Sequence, residues 1–505
     1  MIFGPEIDRE QVTRIFRRYG IRNTDRAYQN LNLLLEGQET RPLISPKGRS
    51  LLANLMPDIL RRVQNSPDPD MAFDHLERFL AESGGRDLYL RTLGENPKVM
   101  ELLIELFGSS VFLSNILIRN PGLFERLTRA GYLERSKTIR DFQQELDRPQ
   151  ERQDDLGEQL LAVSRYKKEE VFRIGLRDIL GLSDLSEVTS ELTTLAEGTL
   201  ARILALCRQS VYEAQGDLRG DVKMAIIGMG KLGGREMNYG SDLDLLFVHA
   251  LTKHSPDTQL AVAHRTAERV IEAVSRAGAE GVLYKVDARL RPFGRKGVLT
   301  QTVDAYRTYF QEHAQTWERQ ALIKARPVAG DGSLGAAFMQ EVERFTYGYG
   351  LLKTEARAIA EMRNRIAAER EAVASDAFHL KFSPGGIIDV EFAAQTSQLR
   401  YGHAHPQIRN PKTVLALDAL AQAGILSESE HAVLKNGYLF LRRVENRLRI
   451  LHDASEDVVT LKAEALEALA RRLGYGEGGG SRLLEEIDCN RKRIADVARK
   501  YILAP

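Results

Sequence analysis

Apolar positions recur at helical spacing along most of the chain, and one central stretch breaks into short apolar blocks instead. Residues 7–215 predict helices separated by brief punctuation. Val99, Leu102, Leu103 and Leu106 fall at helical spacing, with Asn96-Pro97 to open that helix and Gly108-Ser109-Ser110 to close it. Val111 to Leu117 starts a second helix, Asn120-Pro121 resets the chain, and Leu123, Phe124 and Leu127 begin a third. Short helices punctuated in this way suggest a bundle. Residues 164–182, SRYKKEEVFRIGLRDILGL, carry Arg165, Lys167, Lys168, Arg173 and Arg177. A solvated helix face is the simple reading, and a surface turned toward a site or partner is the sharper one. Residues 149–157 are polar and charged and read as a surface loop.

The pattern changes near Val222. Met224-Ala225-Ile226-Ile227 ends in Gly228, Leu243 to Val248 forms a second run interrupted by Asp244, and Val282 to Leu290 alternates as a third. A helical stretch from Thr258 to Arg276 separates the last two. This is α+β organisation. Beyond Thr302 the helical pattern returns, and Lys353 to Leu503 repeats Ala and Leu with few strand signals. The expected division is a helical region (1–215), a mixed domain (216–335) and a helical bundle (336–505). Gly478-Gly479-Gly480 reads as a flexible loop, and Trp317 as a domain-packing residue more than a base-stacking platform.

A length of 505 residues is too long for one ordinary core. With 43% apolar and 28% charged residues, folded domains are expected and long disorder is not. The net charge of +1 gives no global attraction for a polyanion; a local basic groove could still bind long nucleic acid, and a small phosphorylated substrate or a protein partner fits the numbers just as well. Cys207 and Cys489 are far apart and form no metal-ligand pattern, which points to a reducing interior. The start, MIFGPEIDREQ, lacks a signal core, and no apolar run reaches the ~20 residues that span a bilayer. Cytoplasm is the expected compartment, without a membrane partner.

The chemistry concentrates in GMGKLGGREMNYGSDLDLLF. On a strand, Asp242 and Asp244 face the same side while Leu243 and Leu245 turn to the core. Paired carboxylates repel, and a hard cation such as Mg²⁺, shared with substrate phosphates, relieves that repulsion. The glycine pair Gly233-Gly234 lets backbone approach phosphate, or is simply a helix-entry turn; Lys231 and Arg235 add positive charge. Asp287, in LYKVDARLRPFGRKG, sits on the third strand-like run and can join the first two acids. Three carboxylates hold a pair of Mg²⁺ ions in phosphoryl-transfer sites. The competing reading of Asp287 is a salt bridge to Arg289 or Arg291. WERQALIKARPVAGD supplies Arg319, Lys324 and Arg326. In KFSPGGIIDVEF, Asp389 and Glu391 either cap a helix or form a salt bridge, or they make a second, substrate-facing acidic cluster. Arg447 and Arg449 of ENRLRILHD are expected to pair with acids, and His452 has no nucleophile motif beside it.

Together GMGKLGGREMNYGSDLDLLF, LYKVDARLRPFGRKG, WERQALIKARPVAGD and LKFSPGGIIDVEF resemble the glutamine-synthetase adenylyltransferase/adenylyl-removing enzyme family. NPGLFERL and SRYKKEEVFRIGLRD look similar too, so the resemblance covers most of the chain. It implies a polymerase-beta-type nucleotidyltransferase domain flanked by two mainly helical domains. Proteins of this family carry two related catalytic halves, one adenylylating a tyrosine of glutamine synthetase with ATP, the other removing AMP with phosphate to give ADP. The single motif set here resembles one half, more the C-terminal, adenylylating one. The resemblance implies Mg²⁺ on Asp242, Asp244 and Asp287, with nucleotide or phosphate contacts from Gly233, Gly234, Ser241, Arg289, Arg291 and Lys324. Arg326, Asp389 and Glu391 are secondary candidates. Glutamine synthetase is the implied partner, with signal-transducing PII proteins in a longer context. Phosphorolytic removal of AMP, or a silent module binding PII or glutamine synthetase, are the alternatives.

Overall fold

The computed structural model describes residues 8–503 apart from 37–44, 83–85, 130, 149–154, 216–221, 252–255, 277, 279–280, 371–375 and 454–456. Most of the polar loop expected at 149–157 therefore lies outside the described residues.

Described residues up to 148 form helices only, including Pro97–Ser109, Val111–Arg119 and Gly122–Leu127, where the apolar spacing predicts them. Pro97 fits the first turn of its helix, where no intrahelical N–H is needed. Ser110 ends that helix, and its hydroxyl accepts from the Leu113 N–H to cap the next. Two long helices follow, α1 (Leu156–Ile179) and α2 (Leu185–Gln215). The solvated-face reading of α1 fails at its C-terminal half. Arg173 and Arg177 are buried. Arg173 pairs with Glu170 at 2.8 Å and with Glu191, so its charge is satisfied inside the bundle.

The mixed region is a sheet of β1 (Lys223–Gly228), β2 (Leu243–Ala250), β3 (Val286–Asp287), β4 (Thr300–Gln301) and β5 (Arg326–Gly330). Strand β1 lies between β5 and β2, antiparallel to both, while β3 and β4 pair parallel with β2. Alternation along β2 sends Leu243, Leu245 and Phe247 into the core shared with the N-terminal helices, together with residues of α3 (Pro256–Ser275) such as Val262 and Val270. Leu246 and Val248 enter a second core with Phe338 and Val342 of α4 (Gly332–Tyr347). Both faces are covered, which explains the nearly continuous apolar runs of β1 and β2. The third strand is much shorter than the Val282–Leu290 alternation predicts, only two residues pairing with β2. This architecture is a nucleotidyltransferase-type mixed sheet between helical regions.

The rest is helical apart from a hairpin-like pair, β6 (Ala377–His379) with β7 (Val458–Thr460). Helices α5 (Ile387–Tyr401) and α6 (Glu428–His452) contribute to its separate core. The glycine run is not a loop. Gly478 caps with φ +70°, and Gly479 and Gly480 open the helix Gly479–Ile502, their free N–H groups met by Glu467. Trp317 is more exposed than a packing residue would be, 38%, and donates to its neighbour Gln315 at 3.0 Å. No described helix is long and apolar enough to cross a membrane. Cys207 is buried, Cys489 exposed, and both are free.

Candidate active site

The turn between β1 and β2 is shaped around one carboxylate. The Met229 N–H donates to the Asp244 carbonyl at 2.9 Å, bringing the turn against the start of β2. Gly230 has φ +53°, and a Cβ there would stand 2.2 Å from Asp244 Oδ2. Only glycine combines that backbone with that approach. Gly233 and Gly234 meet a different segment. A Cβ on Gly233 would lie 1.7 Å from the Lys324 carbonyl, and one on Gly234 3.0 Å from the Lys324 side chain. Their place is against the Lys324 segment, where they close the short helix Gly230–Gly233 and do not open one, so neither the phosphate-approach nor the helix-entry reading describes them.

Asp244 and Asp287 are direct neighbours across the parallel β2–β3 pair. Asp242 precedes β2 and is exposed. Burial pushes the Asp244 carboxyl up to about 6, Asp287 and Asp242 push it the same way, and Lys381 and Arg289 oppose them. Asp287 is held below the usual carboxylate range by Arg289, whose backbone N–H (2.8 Å) and Nε (2.8 and 2.9 Å) donate to it. The sequence left two readings of Asp287 open, and as the side chains stand it is both the neighbour of Asp244 and the partner of Arg289. Among the described residues, no three acid, His or Cys side chains converge closely enough to hold a metal ion. The donor set nevertheless suits Mg²⁺. It is all carboxylate oxygen, and Asp244, raised by burial first and by its acid neighbours second, is a group whose charge a divalent cation would favour.

The remaining candidates divide. Arg289 stands at the acids. Ser241 is buried beside them, its hydroxyl accepting the Asn238 N–H at 2.9 Å. Arg291 braces the following loop, donating to the carbonyls of Ala288 (2.7 Å) and Gly297 (3.0 Å). Lys324 is buried against Glu236 and Thr413 (2.9 Å to the hydroxyl). Arg326 pairs with Glu197 and donates to the Gly233 carbonyl at 3.0 Å. Asp389 pairs with Arg363 and accepts the Gly385 N–H at 2.6 Å; no side chain caps the helix start at Gly386, so its role is the ion pair among its structural readings. Glu391 is half-buried and acts electrostatically on Arg442.

Two basic groups from the motifs, Lys231 and Lys381, act on one another beside the β1–β2 turn. Lys231 is pushed down to about 7 by burial, against the attraction of Glu445 at 2.9 Å, with Arg442, Arg449 and Lys381 pushing it further. Burial opposes the charge of Glu445, yet Lys231, Arg442 and Arg449 outweigh it and hold its carboxyl well below the usual range. Lys381 acts on both Asp244 and Lys231. It is the basic residue sequence reasoning missed. Its position in KFSPGGIIDVEF, between β6 and α5, was the available signal, but nothing local tied it to acids more than a hundred residues away.

A five-stranded sheet flanked by helices, with carboxylates paired at the start of its central strand, defines a nucleotidyltransferase-type site. Comparison with known proteins agrees. Residues 100–341 match the family "Glutamate-ammonia ligase adenylyltransferase", and residues 355–502 match "GlnD PII-uridylyltransferase". Three similar proteins are each described as a bifunctional glutamine synthetase adenylyltransferase/adenylyl-removing enzyme. That of Thioalkalivibrio sulfidiphilus is 31% identical over 91% of this chain and 49% of its own length. That of Mycobacterium leprae is 31% identical over 96% and 49%, and that of Nitrosococcus oceani 33% over 88% and 48%. The chain thus spans about half the length of these relatives. The homology supports a nucleotidyltransferase of the glutamine synthetase adenylyltransferase family.

Proposed function

We propose that this chain transfers AMP from ATP to a tyrosine of glutamine synthetase with Mg²⁺, and so regulates nitrogen assimilation. The observation that carries the proposal is the Asp244–Asp287 pair, a desolvated Asp244 with a raised carboxyl directly across from an Asp287 held by Arg289. Asp242, Asp244 and Asp287 would hold Mg²⁺, which when bound neutralises the triphosphate and lowers the pKa of the attacking hydroxyl. The tyrosine oxygen bonds to the α-phosphorus, the bond from that phosphorus to the β-phosphate bridging oxygen breaks, and pyrophosphate leaves. Arg289 turns from Asp287 to the phosphate oxygens, and the freed Asp287 carboxylate accepts the phenolic proton. Lys231 and Lys381 supply the positive field behind the acids.

The relatives' described double activity favours one second reading. With phosphate as attacking group, the same site would release AMP from the modified tyrosine as ADP. Purified chain given Mg²⁺, ATP and unmodified glutamine synthetase should attach AMP. Given phosphate and adenylylated glutamine synthetase, release of ADP would select the second reading instead. Turnover in neither direction would end both.

A further inference from the structure

The loop that follows Asp287 holds an aromatic side chain that the chemistry above does not use. It runs from Ala288 to Leu299 and returns to the sheet at β4. Arg291 clamps it, donating to the carbonyls of Ala288 and Gly297 and, at 3.3 Å, of Arg295. The two limbs are so close that a Cβ on Gly297 would stand 1.9 Å from the Pro292 carbonyl. At the tip Phe293 has φ +60°, a left-handed backbone that glycine takes freely and a bulky residue adopts only with strain. Burial does not offset that strain, because Phe293 is 58% exposed. Its ring is braced against Tyr309 (centroids 5.0 Å apart, 76° between planes) and His313 (5.4 Å). Tyr309 is buried and fixed in turn, its hydroxyl donating to Glu318 at 2.8 Å. A strained aromatic, braced and held out to solvent, serves a contact outside this chain.

Val298 is also exposed on this loop, and between it and Phe293 lie Arg295 and Lys296. Both cations are exposed and in no ion pair among the described residues. Apolar surface beside unopposed positive charge complements a polypeptide segment with an apolar side chain next to acidic ones. The loop's position points the same way. Strand β3 is an edge of the sheet and Asp287 ends it, so the loop is the first part of the chain beyond that carboxylate. Arg295 is near enough to help hold the Asp287 carboxyl down. The turn at Gly230 stands instead against Asp244, and the loop before Asp242 is tied to the end of α6, its Gly240 N–H donating to Asp453 at 2.7 Å. A phenolic hydroxyl that gives its proton to Asp287 therefore brings its own polypeptide over residues 289–298.

We propose that Phe293 is a specificity-determining residue for the protein acceptor. Its ring and Val298 receive an apolar side chain near the acceptor tyrosine, and Arg295 and Lys296 receive acidic residues of the same segment. This rests on the reading above, in which AMP passes to a tyrosine of glutamine synthetase.

Steady-state transfer to unmodified glutamine synthetase, with calorimetric titration of MgATP, tests it. Phe293→Gly removes the ring where the backbone suits glycine, so Tm should not fall. KM for glutamine synthetase should rise roughly tenfold or more, while MgATP affinity stays unchanged. Phe293→Tyr should restore the KM. Arg295→Ala with Lys296→Ala should also raise KM and flatten its increase with salt. An unchanged KM in Phe293→Gly overturns the inference. So does a lowered Tm, which would make the ring structural, and so does weakened MgATP binding, which would assign it to the nucleotide. If the wild-type chain transfers no AMP to glutamine synthetase, the catalytic reading falls and this inference with it. If transfer holds while Phe293→Gly matches the wild type, this inference alone falls.

Discussion

Two desolvated charge clusters meet at the Gly230–Lys231 turn, and they are built on opposite plans. Asp244, packed against Gly230, has Asp287 and Asp242 pushing against it, with Lys381 and Arg289 as counterweights too weak to restore its ordinary pKa. Glu445, bound to Lys231, is ringed by three cations and stays ionised although its side chain is wholly buried. In the second cluster the carboxylate is satisfied, and the cost falls on Lys231, which burial and its cationic neighbours push down to about 7. In the first, burial above all, and then Asp287 and Asp242, keep the Asp244 carboxyl raised, a charge that the proposed Mg²⁺ would settle.

This contrast predicts different responses to neutralisation. The largest effect should fall on chemistry. Asp242→Asn with Asp244→Asn should lower AMP transfer by roughly a thousandfold or more with circular dichroism unchanged, since removal of metal-binding charge takes several kcal/mol from the transition state. Full activity in that folded variant would erase the distinction. Next is Glu445→Ala, which leaves Lys231, Arg442 and Arg449 buried without their carboxylate. It should destabilise the protein by about 3–5 kcal/mol in urea unfolding.

Asp244→Asn alone should act in the opposite sense on the metal-free protein. The folded carboxyl titrates near 6 instead of 3.8, so the folded state binds more protons between those values. Stability therefore falls as pH rises from 3.8 to about 6 and stays low above it. The substitution should remove that slope and stabilise the chain near neutrality by up to about 3 kcal/mol, measurable as a rise in Tm. A destabilised Asn variant would mean the repulsion is already relieved. The smallest stability effect is Gly230→Ala, about 1–2 kcal/mol for the left-handed backbone. Its Cβ would displace Asp244, so activity should fall by more than that stability loss alone accounts for.

Much of this was legible because the signals were local. Helical spacing and caps such as Asn96-Pro97 set the N-terminal helices, and period-2 alternation placed Asp242 and Asp244 at the mouth of β2. What escaped depended on contacts far apart in sequence. Gly233 and Gly234 read as phosphate-approach glycines, but their tight packing against Lys324 appears only when β5 pairs beside β1. Arg173 reads as a solvated residue until Glu191 of the following helix arrives to pair with it. Lys381 reached the acids by the packing of a whole region, which no spacing encodes. The glycine run at 478–480 misled for a different reason. Glycine reads as loop, yet Glu467 supplies the acceptors that let those residues begin a helix.

The left-handed residue Asp453, at φ +51°, stops α6 just where its side chain meets the Gly240 N–H. The helix thus works as a ruler, its residue number fixing where the grip falls. One residue inserted within its 25 would swing that grip by ~100° and advance it by ~1.5 Å. The span from Glu428 to Asp453 should therefore tolerate exchanges of side chain far better than changes of count.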